Sequence, residues 1–386
     1  MDTNSASDTT ADARICLVSQ RHLERHVSRC AEYEFEDIIC QVDDADILTL
    51  EAHTWYRLGR RVANRLARHT GFVSRNLAVK PRWFRKDYEV LVAICQEPSD
   101  LLSLKALRRW RAHCQTSVCW LIELWAWNSH QWRNHLKTLR EFDHVIVMFN
   151  GSVQPIENVI GKQCVYMPPG IDAATFCPYP NPPRRCVDVF SAGRRSQQTH
   201  RALLEMARQR KIFYIYDTTR PLMTICQKEH RIQVANIAKR SRYFIANAPK
   251  INHPSQTHGQ SEISYRFVEG AASGTVMIGD PGDNEVFGIH FDWPDAVITV
   301  PYDTADIADV LADLDSQPAR LARIRKDSIV NCLQRHDWVY RWRTILEMLG
   351  LRPKPALLAR EKRLAELAKQ VEDAYRRDDT LATQNE

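Results

Sequence analysis

The sequence lacks the signatures that mark several common classes of protein. Its longest apolar run, from Val118 to Trp127, is short and contains Glu123, so this run cannot span a bilayer. The G-x-G-x-x-G fingerprint of dinucleotide-binding proteins is missing, and no arrangement of serine, histidine and aspartate suggests a hydrolytic triad. The sequence therefore gives no support to a membrane-spanning, a dinucleotide-dependent or a serine-hydrolase reading.

Cysteine is present but is not organised into pairs. The chain has 11 cysteines and no C-x-x-C spacing, which predicts reduced thiols in the cytosol and argues against a zinc site. The first 12 residues, MDTNSASDTTAD, are polar and contain no apolar segment of a signal peptide. We expect them to form a disordered leader, and we expect the protein to be cytoplasmic.

Acidic residues are missing from one window of the chain. The formal net charge is only +6, but there is no aspartate or glutamate between residues 52 and 86. A locally positive surface attracts phosphates, anionic lipid or nucleic acid. The ten cationic residues of this window are Arg57, Arg60, Arg61, Arg65, Arg68, Arg75, Lys80, Arg82, Arg85 and Lys86.

Apolar residues accompany these charges. Leu58, Val62 and Leu66 fall on one helical face, and two aromatic residues lie between cations in KPRWFRK, residues 80–86. Aromatic and basic residues together suit a membrane interface, but they also suit stacking on nucleic acid. An ordinary amphipathic helix followed by a basic loop explains the pattern equally well. The candidate membrane-surface residues are Arg82, Trp83, Phe84 and Arg85.

Short apolar runs alternate with helical patterns along the chain, a rhythm typical of βα units around a parallel sheet. The N-terminal strand candidates are residues 15–19, 47–50, 90–95, 117–122 and 144–149, with helical patterns at 101–111 and 132–140. The C-terminal candidates are residues 187–191, 212–216, 243–246, 276–279 and 296–300. A helix is predicted at 201–210, and an apolar stripe between Pro355 and Tyr375 predicts a helix packed on the body.

A proline-rich segment separates the two sets of strands. We predict an α/β protein with two Rossmann-like, doubly wound parallel-sheet domains that face a cleft. Ligands of such sheets bind beyond the carboxyl ends of the strands. The predicted boundaries are 1–12 for the leader, 13–165 for the N-terminal domain, 166–185 for the linker, 186–350 for the C-terminal domain and 351–386 for the terminal helix and tail.

Three separated motifs indicate a more specific class of function. PPGID-x-x-x-F-x-P follows the first set of strands, a later strand ends in SAGRR, and EISYRFVEGAASGT precedes another apolar strand. In this order the motifs resemble the C-terminal half of group 1, family-4-like glycosyltransferases of the GT-B fold. The resemblance covers roughly residues 166–350. The N-terminal half resembles that family only in its strand rhythm and in residues 142–148.

This resemblance implies an activity and a set of partners. The C-terminal domain would bind a nucleotide-sugar donor, such as a UDP-sugar or a GDP-sugar, and the N-terminal domain would hold a glycan or lipid-linked acceptor. The sugar would be transferred with retention, for example to a cell-surface glycan or glycolipid. The resemblance implies no metal and no cofactor, because the nucleotide sugar is a substrate. We also expect an anionic membrane surface, at the inner face of the membrane, as a partner, and no nucleic acid.

The resemblance also assigns roles within EISYRFVEGAASG. Glu269 aligns with the family glutamate that contacts the nucleotide ribose, and a carboxylate can accept from both hydroxyls of a diol. Glu262 would contact the donor sugar, although it lies seven positions before Glu269 where the family has eight. Ser264 is a candidate N-cap of the following helix, and Gly274 is placed to end it. Tyr265 and Arg266 complete the predicted donor-binding residues of this stretch.

A second group of site candidates follows the strand at 187–191. Arg194 and Arg195 stand at a glycine turn where the family has an arginine that neutralises the leaving diphosphate. The family lysine a few residues later is missing, which leaves Arg195, His200 or Arg266 to supply the second positive charge. Solvent-exposed arginines after a strand are the structural alternative.

Other assignments are weaker. His53 and Glu123 lie near strand ends of the N-terminal domain and are candidates for the acceptor side. Two D-x-D sequences, at residues 44–46 and 313–315, lie in acidic patches, and we expect neither to bind a metal. Two other functions also remain open. A sugar-nucleotide epimerase with the same fold would need an acid–base pair, and a basic module for nucleic acid or membrane would leave Glu269 without a role.

Overall fold

The structure is a computed structural model that describes residues 13–70, 76–218 and 222–384. The predicted leader, residues 1–12, lies outside the described residues. The chain divides into two compact units. The N-terminal unit comprises Met1–Pro168 and Met223–Gln227, and the C-terminal unit comprises Pro169–Leu222 and Lys228–Glu386.

The N-terminal unit contains a parallel sheet in the order β2-β1-β4-β6-β7-β8. A smaller parallel pair joins β3 to β5. The inner strands β1, β4, β6 and β7 are largely buried, which is why they appear in the sequence as continuous apolar runs. The strands are β1 Ile15–Ser19, β2 Ala45–Thr49, β3 Arg82–Trp83, β4 Tyr88–Cys95, β5 Leu107–Arg108, β6 Cys114–Leu121, β7 His144–Val147 and β8 Val165–Tyr166.

Helices and short 3-10 turns connect these strands. The helices are α1 Cys30–Val42, α2 Tyr56–Thr70, α3 Leu101–Leu104, α4 Arg133–Leu136 and α5 Val153–Ile160. The 3-10 turns are Val27–Arg29, Pro98–Asp100, Trp110–Ala112, Ala126–Trp132, Lys137–Glu141 and Asn150–Ser152.

The single helix predicted at residues 101–111 is wrong. The structure ends α3 at Leu104, forms β5 at Leu107–Arg108 and then makes a 3-10 turn. Arg109 has a φ of 59°, a left-handed conformation that interrupts a helix. Leu101, Leu104 and Leu107 have helical spacing, but the first two enter the core from α3 and the third from β5.

The C-terminal unit contains a second parallel sheet, in the order β10-β9-β11-β12-β13. The α/β class and the two parallel-sheet domains are therefore confirmed. Its strands are β9 Val187–Ser191, β10 Tyr214–Tyr216, β11 Ser241–Ile245, β12 Val276–Gly279 and β13 Ile298–Thr299. Its helices are α6 Ala173–Phe176, α7 Gln197–Arg208, α8 Gln227–Lys239, α9 Pro254–Thr257, α10 Tyr265–Ser273, α11 Glu285–His290, α12 Ile307–Asp315, α13 Pro318–Arg335, α14 Trp338–Met348 and α15 Pro355–Gln384.

The proline-rich segment is more ordered than its composition indicates. It contains α6, whose N-cap Asp172 accepts a hydrogen bond from the backbone N–H of Thr175 at 3.2 Å. Arg360 of α15 donates to Asp172 at 2.8 Å and to the buried Asp337 at 2.8 and 2.7 Å. These ion pairs stabilise the packing of the terminal helix α15 on the C-terminal unit, where it also packs along α13.

No helix within the described residues is long and apolar enough to cross a membrane.

Candidate functional site

The candidate site lies at the carboxyl ends of the strands in the C-terminal unit. β9 leads into the glycine turn that carries Arg194 and Arg195, and β10 leads into Asp217. Gly193 has a φ of 86°, which glycine adopts without steric cost, and its backbone N–H donates to the Asp217 carboxylate. Carboxyl ends of parallel strands are where ligands bind in folds of this type.

The two arginines of this turn have different surroundings. Arg194 is exposed and makes no ion pair with any residue that the structure describes. Arg195 is half-buried, lies over the Tyr216 ring at 5.1 Å and donates through Nη2 to the Asp217 backbone carbonyl at 2.8 Å. Its Nη1 is buried and has no hydrogen-bond partner within the described part of the chain. Both side chains therefore retain donor capacity.

A small pocket borders Arg195. The phenolic oxygen of Tyr302 also lines this pocket and, like Arg195 Nη1, has no hydrogen-bond partner among the described residues. Arg194 lies close enough to lower the pKa of Tyr302, although burial is the larger effect and raises that pKa overall. The pocket is also lined by residues that follow β11 and β13, including Asn247 and Pro301, and by Gly279 at the end of β12.

His200, the third candidate of this region, lies in the first turns of α7 and also lines the pocket. Its Nδ1 is 2.9 Å from the hydroxyl oxygen of Tyr214, and its ring packs against Tyr216 at 4.8 Å. Burial lowers the pKa of His200, and the positive charge of Arg195 lowers it further. Both effects favour the neutral ring, so His200 is less suited than Arg266 to supply the second positive charge.

Helix α10 carries the other main group of candidates. Its N-cap is Ser264, whose hydroxyl accepts from the Arg266 backbone N–H at 3.2 Å, and Gly274 ends it with a φ of 61°. Both caps agree with the sequence prediction. Arg266 faces the glycine turn, because its Nη2 lies 3.8 Å from the position that a Cβ on Gly193 would occupy. The structure thus brings two of the predicted motifs together.

Glu269 lies on α10 in a buried ion network. Its side chain is 2% exposed, and its two carboxylate oxygens accept from Arg231 of α8 and from Arg266. Burial would raise the pKa of Glu269, but the two arginines outweigh it and hold that pKa below its usual value. The three side chains together carry a formal charge of +1.

The two remaining candidates of EISYRFVEGAASG lie nearby in sequence. Glu262 precedes α10, is buried, and accepts a hydrogen bond from the Gln260 side chain at 2.7 Å. Tyr265 begins α10, and its ring lies 6.2 Å from that of Trp338.

The acceptor-side candidates lie in the N-terminal unit. His53 is exposed between β2 and α2 and stacks on Trp55, with ring centroids 6.0 Å apart. Glu123 follows β6, and its carboxylate accepts from the indole N–H of Trp125 at 2.9 Å. Both follow strands of the same sheet at its carboxyl edge.

One membrane-surface prediction is wrong. Phe84 is 4% exposed and packs in the core against Tyr88, because the side chains of successive residues in an extended segment point to opposite faces. Its neighbour Trp83 is 56% exposed, and Arg82 and Arg85 are exposed as well.

Sequence reasoning missed Arg231 and Asp217. Arg231 stands 38 positions before Glu269, and no local pattern connects the two. Asp217 had a usable signal, because an acidic residue directly after an apolar strand lies at the ligand-binding edge of a parallel sheet. Within the described residues, no group of three or more histidine, cysteine, aspartate or glutamate side chains is arranged to hold a metal ion.

Comparison with known proteins finds a family match over part of the chain. Residues 195–347 match the family described as "Glycosyl transferase-like". None of the curated proteins compared with the sequence matches it.

Two solved structures share the fold. One is an α-glucosyltransferase in complex with UDP-glucose and DNA containing an abasic site, with 11% identity, a TM-score of 0.52, and coverage of 87% of this chain and 99% of that one. The other is an α-glucosyltransferase with UDP and a 13-mer DNA containing an HMU base, with 11% identity, a TM-score of 0.50 and the same coverage. TarM is also similar, with 11% identity, a TM-score of 0.41 and 67% of this chain covered, but the match spans only 54% of the TarM chain.

The family match and the shared fold define the class as glycosyltransferase, with the GT-B fold. The resemblance to group 1 glycosyltransferases drawn from the sequence motifs is thereby confirmed.

Proposed function

We propose that the protein transfers a sugar from a nucleotide-diphosphate donor to a glycan or lipid-linked acceptor. The observation that carries this proposal is the meeting of the Arg194–Arg195 turn with Arg266 of α10. Arg194 and Arg195 make no ion pair with the described residues, and Arg266 shares its carboxylate partner with Arg231. The cluster therefore has positive charge available for an anion. Arginine is well suited to phosphate oxygens, because its planar guanidinium offers several donors in a fixed geometry.

The cations would act where negative charge develops. As the bond between the sugar and the diphosphate breaks, the leaving phosphate gains charge, and fixed donors that are already in place lower the barrier. Arg266 would supply the second positive charge for which the sequence offered His200 as an alternative, since burial and Arg195 both disfavour a charged His200. We propose that no metal is required and that the anomeric configuration is retained, as in the group 1 enzymes that the motifs resemble.

Glu269 would act by positioning. Its carboxylate holds Arg266 beside the glycine turn, and Arg231 holds the carboxylate from the other side. Each carboxylate oxygen has a further lone pair, so the contact with the nucleotide ribose stays a prediction. Arg195 Nη1 and the Tyr302 hydroxyl are suitable donors for a phosphate or ribose oxygen of the donor. The proposed acceptor domain is the N-terminal unit, with His53 and Glu123 as candidate contacts.

A donor panel tests the proposal. The protein is incubated with labelled UDP-, GDP- and ADP-sugars, with and without a metal chelator, and the products are separated. We expect slow release of free sugar and nucleoside diphosphate from one donor, at the same rate with the chelator. An isomerised donor would indicate an epimerase, and no turnover or binding of any donor would contradict the proposal.

A further inference from the structure

Helix α2 of the N-terminal unit has an exposed apolar ridge. Leu58, Val62 and Leu66 are 62%, 51% and 40% exposed. Their spacing of four places them in one row along the helix. The neighbouring face, about 100° around the helix, is the buried one and consists largely of small residues: Tyr56, Gly59, Ala63 and Ala67.

The buried face explains why the larger residues stay outside. A Cβ on Gly59 would lie 2.7 Å from the Ala78 Cβ, so the helix approaches its neighbours too closely for a larger side chain. Further along, Ala63 and Ala67 pack against Leu102, and Asn134 donates to the Ala67 carbonyl at 2.8 Å. The leucine and valine row cannot turn inward without breaking these contacts.

A row of arginines runs beside the apolar ridge. Arg57, Arg61 and Arg65 each precede one of its residues, are exposed, and make no ion pair with any residue in the described parts of the chain. Arg60 behaves differently, because it points inward and pairs with Glu24, Glu97 and Asp100. Arg60 therefore stabilises the fold, whereas the three arginines beside the apolar ridge are available to a binding partner.

Other exposed apolar residues border this helix. Trp55, directly before α2, is 46% exposed and lies against Gly59. Leu77 is 61% exposed and stands between Asn76 and Ala78, which both contact the same glycine position. The apolar area thus extends beyond the helix at its N-terminal end.

We propose that α2 is a membrane-binding helix that lies in the plane of an anionic lipid surface. Leu58, Val62 and Leu66 would enter the acyl boundary, while Arg57, Arg61 and Arg65 would contact lipid phosphates. An anionic lipid surface offers apolar chains and a layer of negative charge a few ångströms apart. Single-stranded nucleic acid also has phosphates, but proteins bind its bases mainly by stacking them on aromatic side chains, and this ridge is aliphatic.

The inference does not depend on the reaction proposed above, because it concerns a different unit and a different ligand. It moves the membrane contact from the predicted Trp83–Phe84 pair to α2, since Phe84 is buried.

Vesicle co-sedimentation tests the inference. The full chain is mixed with vesicles of phosphatidylcholine alone or of phosphatidylcholine with phosphatidylglycerol, at low and high salt. We expect binding to the mixed vesicles that weakens with salt, because screening shortens the reach of surface charge. The triple variant Leu58→Ser, Val62→Ser, Leu66→Ser should bind at least roughly tenfold more weakly.

Matched variants separate this helix from a general surface effect. Phe213→Ser, Ile232→Ser and Ile289→Ser remove three apolar side chains that are 55%, 44% and 67% exposed in other places, and should leave binding unchanged. Arg57→Gln, Arg61→Gln and Arg65→Gln should abolish the preference for phosphatidylglycerol. The same loss of charge at Arg184, Arg201 and Arg363 should not.

Three results would overturn the inference. The first is no sedimentation of the wild-type chain with either vesicle. The second is equal binding by wild type and the apolar triple variant, with thermal melting showing both folded. The third is tight binding of a single-stranded oligonucleotide that the arginine variant loses and the apolar variant keeps, which would make the helix a nucleic-acid surface. Donor hydrolysis in the same samples reports separately on the proposed reaction.

Discussion

Glu269→Gln should destabilise the C-terminal unit even when no ligand is present. Glutamine keeps the shape of the side chain but removes the negative charge that Arg231 and Arg266 share. The Arg231 side chain is only 7% exposed, so its charge would be left in a poorly solvated place. Removing one partner of a buried ion pair typically costs about 3–5 kcal/mol.

The expected magnitude lies at the lower end of that range. Arg266 is 27% exposed and can exchange the lost carboxylate for water, whereas Arg231 has much less access to solvent. We expect the free energy of unfolding to fall by about 3 kcal/mol, measured by chemical denaturation of the ligand-free protein. The variant Arg266→Gln is the matched control, since it keeps the Arg231–Glu269 pair, and should cost only about 1 kcal/mol.

The pH dependence of stability is a second test of the Glu269 ion pairs. Because the folded-state pKa of Glu269 is lowered, its contribution to stability is present above the usual glutamate value of 4.5 and is lost as the pH falls below it. Glu269→Gln should therefore show a shallower acid loss of stability than wild type. If the variant unfolds within about 0.5 kcal/mol of wild type and only its nucleotide affinity falls, the ion-pair reasoning is refuted.

Three further predictions concern stability elsewhere in the molecule. Arg360→Ala should lower the free energy of unfolding, measured by chemical denaturation, by about 3–5 kcal/mol, because the fully buried Asp337 loses its cation. The control is Arg343→Ala, at the neighbouring and more exposed pair with Glu361, which should cost at most about 1 kcal/mol. Burial lowers the pKa of His135 to about 4, so the free energy of unfolding should fall as the pH drops from 6.5 toward 4. In denaturation measured at several pH values, His135→Gln should reduce the slope of this fall by up to about 1.4 kcal/mol per pH unit. If His135→Gln has the same pH dependence of stability as wild type, the assignment of this slope to His135 is wrong. Gly274→Ala should lower the melting temperature more than Gly161→Ala. Both glycines have positive φ, but a Cβ at position 274 would lie 2.5 Å from Ile329 Cδ1, whereas nothing lies within 4 Å at position 161. Equal losses would show that the contact with Ile329 relaxes.

The strands could be predicted from the sequence because parallel strands buried on both faces leave continuous apolar runs. β1, β9 and β12 match their predicted bounds, and β2, β4, β6, β7, β10, β11 and β13 differ at one or both ends. The two-residue strands β3, β5 and β8 were not predicted. Helical spacing was less informative. In α2 the period is correct, yet the leucine and valine row is exposed and the alanine row is buried. Periodicity identifies the faces of a helix, but the space available in the tertiary structure decides which one is buried.

The caps of α10 were predictable because Ser264 and Gly274 act within one helix. The cation network around Glu269 was not, since Arg231 reaches it from a different helix. The exposure of Trp83 beside the burial of Phe84 has the same origin, because neighbouring residues of an extended chain point to opposite sides. Local chemistry can be read from the sequence, whereas partners that meet only through the fold cannot.

The proposal that cations at the glycine turn hold a diphosphate is tested most directly by calorimetry with two nucleotides. For the base that the donor panel identifies, the affinities of the nucleoside diphosphate and monophosphate are compared in wild type and in Arg194→Ala/Arg195→Ala. Arg184→Ala/Arg201→Ala, at exposed positions, is the control for lost charge. Each lost charge-assisted hydrogen bond is worth about 1.5–3 kcal/mol, so the preference for the diphosphate should shrink at least roughly tenfold in the first variant and stay the same in the second. An unchanged preference in Arg194→Ala/Arg195→Ala would contradict the account, because the diphosphate would then be held elsewhere.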